Sequence, residues 1–173
     1  FVESRVVPIV DVQVDFAAGG AYAPADKAGL AGLTRSLLDM GAGELDEEKI
    51  ADCLADIGAL LGGGADQDRS SISLRSLSSP REREAALDLM RLVLQKPVFS
   101  ADVLAREKAR TIAGIREADT RPASIAAKRF AAALYPAHPY GRVPTAESVE
   151  RVGRDDLMAF YKAHYGARRA TVS

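Results

Sequence analysis

Chemistry in this chain of 173 residues must be built from few reactive side chains: two histidines, His138 and His164, one cysteine, Cys53, and scattered serines and carboxylates. A zinc site on one helix wants two imidazoles at positions i and i+4, and the two histidines are far apart. His138 lies in a proline-flanked loop, where a ring hydrogen bond that ties the loop is the simplest role. His164 falls near the end of a helix, where a partly cationic imidazole interacts favourably with the dipole. Ser70, Ser71, Ser73, Ser76, Ser78 and Ser79 are numerous, but no Gly-x-Ser-x-Gly elbow occurs and no histidine is placed by sequence to activate one. Cys53 has no partner for an internal disulfide and reads as a small apolar residue packed in an amphipathic helix. The acidic residues sit on helix faces, as a solvated surface does.

Gly62-Gly63-Gly64 is not a phosphate loop, because no Lys-Ser/Thr pair follows and the next element is a strand. It reads either as a flexible turn or as the start of a strand that another backbone can approach closely, which would suit addition of a peptide to a sheet edge.

Composition narrows the function classes. A hydrophobic content of 47% supports one well-cored domain, and no internal repeat or low-complexity linker divides it. With 23 basic residues against 24 acidic ones and no long basic block, nucleic acid is not the expected partner. No apolar run is long enough to span a membrane. The abrupt first and last residues read as cut ends of a longer chain.

The elements that position these residues follow from periodicity. Val and Ile from Arg5 to Phe16 predict a strand. Leu30, Leu33, Leu37 and Leu38 form one stripe of a helix from Lys27 to Asp39, stopped by Met40-Gly41-Ala42-Gly43. A second helix is expected from Asp46 to Leu60, entered by acidic residues that suit the positive end of its dipole. Alternation from Asp68 to Ser78 predicts a strand with Ile72, Leu74 and Leu77 inward. Ser79-Pro80 opens a third helix carrying Leu87, Met90, Leu92, Val93 and Leu94 to about Gln95. Further helices run from Ala101 to about Asp119 and from Pro122 to Leu134. Short ones near Thr145 and Asp155 lead to a closing strand. Several helices in series argue for an α+β fold, a mixed or antiparallel sheet covered by helices, rather than regular βαβ units.

The order of these pieces resembles the insulinase/pitrilysin family of zinc peptidases. Asp15-Phe16-Ala17-Ala18-Gly19-Gly20, then Lys27-Ala28-Gly29-Leu30-Ala31 and the helix to Met40-Gly41, is similar to the lead-in of that family's H-x-x-E-H helix. Leu104-Ala105-Arg106-Glu107-Lys108 through Ile115-Arg116 to Arg121-Pro122 resembles the helix bearing the third zinc ligand. Ala137-His138-Pro139-Tyr140-Gly141-Arg142 resembles a His-Pro-Tyr-Gly loop, and Asp155 to Tyr165 the helix before the last strand. The resemblance covers essentially the whole chain and implies a domain like those of mitochondrial processing peptidase.

It also implies that the chemistry has gone. The motif positions are Gly32, Arg35 and Ser36, and the third ligand falls at Gly114. Glycine offers no donor, serine is a poor zinc ligand, and arginine is a permanent cation that repels a metal. Glu117, three positions on, is a possible substitute, but it is rotated by nearly a full helical turn and displaced by roughly 4.5 Å. Arg35, at the general-base position, could fill the site with its own charge, paired to a carboxylate such as Glu107. The strand that takes extended substrate in active relatives begins here with Gly62-Gly63, so Gly62, Gly63 and Gly64 are the candidate peptide contacts.

The resulting expectation is a non-catalytic homologue, without zinc, that pairs with an active zinc peptidase or with itself and helps enclose peptide. The resemblance suggests one domain over 1–173 of a longer two-domain chain, exported to a bacterial envelope. Two other readings stay open. One is an active metallopeptidase, acting through an atypical site that recruits His138 with acidic side chains, or elsewhere in the full chain. The other is a structural assembly subunit.

Overall fold

The computed structural model describes residues 6–173. The strand β1 (Ile9–Phe16) is followed by α1 (Leu30–Leu37), the two-residue strands β2 (Gly41–Ala42) and β3 (Leu45–Asp46), and α2 (Glu47–Asp56). Next come β4 (Leu60–Ala65), β5 (Ser70–Leu77), α3 (Pro80–Gln95), α4 (Ala101–Ala118) and α5 (Pro122–Leu134). The short α6 (Ala146–Glu150), α7 (Arg154–His164) and β6 (Ala170–Val172) complete the order. The main sheet is antiparallel throughout, in the order β4-β5-β1-β6, with β2 and β3 as a separate hairpin. This is the expected α+β architecture. The strand foreseen from Arg5 starts at Ile9, and Arg5 itself lies outside the described residues.

Helices cover one face of the sheet. Leu30, Leu33, Leu37 and Leu38 are all buried, so the apolar stripe read in the sequence is the surface that α1 lays on the core. Val14 and Phe16 of β1 and Ile72 and Leu74 of β5 meet it from the sheet, with Leu89, Met90 and Val93 of α3 and Leu157 and Phe160 of α7 closing the layer. Polar bonds lock the helices together. Lys108 donates to the carbonyls of Glu150 and Val152 at 2.6 and 3.1 Å, capping the end of α6 from α4. The Tyr161 hydroxyl donates to the Leu94 carbonyl at 2.6 Å.

Local chemistry sets several boundaries differently from expectation. Residues 25–27 form a 3-10 turn, and α1 starts only after Gly29, whose φ of +104° breaks the path. The second helix ends at Asp56, four residues early, because Gly58 with φ +61° reverses the chain into β4. The glycine triplet is therefore strand and not turn. In β5 strict alternation buries Ser70, Ile72, Leu74 and Ser76, which leaves Leu77 on the outer face with 42% of its surface exposed. In α3, Ala86 and Leu89 face inward while Leu87 faces out. Cys53 is exposed on α2 beside Ile57 and Leu89, not packed in the core.

Candidate functional site

Three regions converge on α1: the β4–β5 pair beside it, α4 across from it, and α7 beneath it. Arg35 is the residue that joins the first of these. Its side chain is 6% exposed and lies over the inward face of the sheet. The Nε–H donates to the Ser71 carbonyl of β5 at 2.7 Å, and Nη2 donates to the Gly62 carbonyl of β4. Nη1 faces the Asp39 carboxylate at 3.4 and 3.5 Å, one helical turn away. The carboxylate partner foreseen at Glu107 is not used. Glu107 is buried on α4, where Arg106 and Arg110 approach it at 3.4 and 3.7 Å. Asp39, four residues on and just past the end of α1, is the carboxylate that faces the arginine instead.

Gly63 lies directly under the guanidinium. Its φ is +132°, and a Cβ there would stand 2.1 Å from the Ser71 carbonyl oxygen and 2.8 Å from Arg35 Nη2. Glycine is therefore required at 63 twice over, by backbone angle and by space. Gly62, Gly63 and Gly64 pair with Ser73, Ile72 and Ser71, and among the described residues no strand lies on the other side of β4, which is an edge of the sheet.

Tyr165 extends the same polar seam. Its hydroxyl donates to Ser70 Oγ at 2.7 Å and its ring packs on Phe16 at a centroid distance of 5.0 Å. Burial pushes its hydroxyl up to about 12, opposed by the Ser70 hydrogen bond and the nearby Arg35 charge. Periodicity could not have revealed this seam, because its members come from four separated segments.

Apart from Arg35, the positions that the resemblance sets against the family's motif on α1 and α4 are not buried. Gly32 and Gly114 are exposed, and a Cβ on either would meet nothing within 4 Å. Ser36 turns its hydroxyl back to the Leu33 carbonyl at 3.1 Å. Glu117 is exposed and paired to Arg121 one turn along. Among the described residues no three His, Cys, Asp or Glu side chains gather as a metal site would require. Two glycines, a self-bonded serine and a guanidinium do not fit a zinc ion.

His138 accepts the Tyr140 N–H at its Nδ1, 3.3 Å, and stacks edge-on with the Tyr140 ring, which gives the loop-tying role expected of it. The Tyr140 hydroxyl in turn donates to Asp68 in the β4–β5 turn, a bond that raises its pKa. His164 departs from expectation. Set between Tyr22 and Phe160, it is held below its ordinary pKa, burial outweighing the Ala17 carbonyl, with Arg169 adding to the depression. The lowered pKa disfavours the cation that the helix end would have welcomed.

A layer of helices thus lies on an antiparallel sheet, with α1 against the β4–β5 pair. The model of the insulinase family, peptidase family M16, matches residues 2–145, and the chain belongs to that family. It superposes with a TM-score of 0.95 on a peptidase M16 inactive domain from Pseudomonas fluorescens at 35% identity, covering 99% of this chain and 42% of that one. A protease from Helicobacter pylori gives 0.86 at 17% identity over 96% of this chain and 40% of its own. Pitrilysin gives 0.80 at 19% identity over 97% and 18%. The last two share the fold alone at such identities. The chain spans less than half the length of each of the three. No curated protein matches the sequence. Among the described residues no helix is long and apolar enough to cross a membrane.

Proposed function

We propose that this chain is a catalytically silent insulinase-family domain that pairs with an active zinc peptidase and supplies wall and edge for its peptide substrate. The observation that carries this reading is Arg35, a buried guanidinium tied to two backbone carbonyls; the reading takes it to occupy the position of the glutamate in the family's H-x-x-E-H pattern. On this reading Gly32, Ser36 and Gly114 are vacated ligand positions. Gly62, Gly63 and Gly64 give an extended peptide an open strand to pair with. Residues 1–173 are then one domain of a longer two-domain chain, as the 42% coverage of the Pseudomonas fluorescens protein suggests.

The pairing half of the proposal draws support from α5. None of its residues is buried, and Phe130 and Leu134 are 67% and 54% exposed on the same stripe as Ala123, Ala126 and Ala127. A helix with an uncovered apolar face is a helix with a partner to find. The test is a pull-down of the full-length protein from its native cells, with bound proteins identified and the eluate assayed for chelator-sensitive peptide cleavage. Recovery of an intact H-x-x-E-H relative with activity is the expected result. The protein recovered alone and inactive would overturn the pairing.

A further inference from the structure

Three consecutive glycines at a sheet edge pose a physical problem. Each loses more backbone freedom on ordering than any other residue and brings no side chain to pack, and an edge strand has neighbours on one side only. Gly62-Gly63-Gly64 should fray away from β5. Arg35 meets this problem with two charge-assisted bonds of one planar fork, one to each strand: Nη2 to the Gly62 carbonyl of β4 and Nε to the Ser71 carbonyl of β5. Asp39 at 3.4 Å neutralises the charge and keeps the fork oriented. Gly63 completes the fit, since any Cβ would occupy the guanidinium's place.

We infer that Arg35 is a positioning residue, a guanidinium clamp from α1 that fixes the path of β4 so that the strand's unpaired backbone groups stay in line as a preformed template. The side chain that is incompatible with zinc on this helix thus acquires a second use at the adjacent strand. The clamp stands on the contacts above. Its consequence for peptide affinity rests on the edge reading of the preceding subsection.

The clamp and a merely packed arginine differ in what lysine can replace. Lysine keeps the charge on a stem of similar length but presents a point donor that cannot bridge two carbonyls as a fork. The full chain carrying R35K is compared with the natural one by amide hydrogen exchange of those β4 amides bonded to β5, with Val12, Val14 and Ile72 as internal references. Peptide binding is followed in parallel by fluorescence anisotropy with a short fluorescein-labelled peptide of alternating Lys and Val. Arg35→Met is the second variant, and R35K alone carries the test if Arg35→Met fails to fold.

Exchange in β4 is expected to quicken roughly tenfold in R35K, the loss of about one charge-assisted bond, while the reference amides of the β1–β5 pair keep their protection. Peptide affinity is expected to fall by a similar factor. Unchanged exchange in β4, or a rise of equal size in the reference amides, would overturn the clamp. Localised exchange in R35K together with no peptide binding by the natural chain would uphold the clamp and overturn the peptide edge.

Discussion

Helices α1 and α5 are both apolar, yet six of the eight residues of α1 are buried and none of the thirteen of α5 is. The contrast lies in what each helix has to lean on. α1 lies across β4 and β5 with α7 and α4 beside it, and it adds to its leucines a buried cation that grips the sheet backbone. α5 is helical for local reasons, a proline at its first turn and a run of alanines, and it touches little beyond the 139–141 turn. The family's fold is kept by the first region, while the second presents surface. On the proposed reading, a domain without metal chemistry still needs its rigid helix, because Arg35 on α1 binds the backbone of β4 and β5.

The largest expected break in this comparison comes at Gly63. Gly63→Ala forces a Cβ to 2.1 Å from the Ser71 carbonyl oxygen at a φ of +132°, and urea unfolding should report a loss of about 3 kcal/mol. A loss below about 0.5 kcal/mol would mean that β4 is not held against α1 as described.

Next is an alkaline slope from the same seam. Tyr165 has a folded-state pKa of about 12 against an ordinary value of 10, so the unfolded chain ionises first and stability falls as pH rises from 10 towards 12. The contribution lost is roughly 2 kcal/mol. Tyr165→Phe should flatten that part of the pH profile.

Smaller and of opposite sign are Gly32→Ala and Gly114→Ala. Both glycines lie inside helices with open space at the missing Cβ, so each change should stabilise by about 0.5–1 kcal/mol. Destabilisation at either would show a close approach there and weaken their description as free positions. The smallest effect on stability belongs to α5: Phe130→Ser should shift thermal unfolding within about 0.5 kcal/mol of zero while sharply reducing capture of the partner peptidase. A large loss of stability would mean that α5 belongs to the core and the contrast with α1 is false.

The sequence was most legible where one segment settles its own structure. Pro80 and Pro122 open α3 and α5 at the positions foreseen, and the leucine stripe names the buried face of α1. It was least legible where a long-range partner decides. Three glycines carry no period, so β4 as a strand is written in its pairing with β5 and not in its own residues. Ser76 rather than Leu77 faces inward because the pleat continues from Ile72 and Leu74 whatever the polarity. In the candidate site, the family resemblance singled out Gly32, Ser36 and Gly114 residue by residue, none of which carries a good zinc donor. The destination of the Arg35 side chain was not, because its acceptors are backbone carbonyls, which every residue carries.

The central claim is that this domain keeps the insulinase fold without its zinc site, and metal content tests it most directly. The full-length protein is equilibrated with zinc, passed over a desalting column and analysed for zinc, beside its His138→Ala variant. The account predicts far less than one zinc per chain in both, with no peptide cleavage that a chelator abolishes. One zinc per chain that is lost in His138→Ala, with cleavage lost alongside it, would contradict the account and establish an atypical metal site.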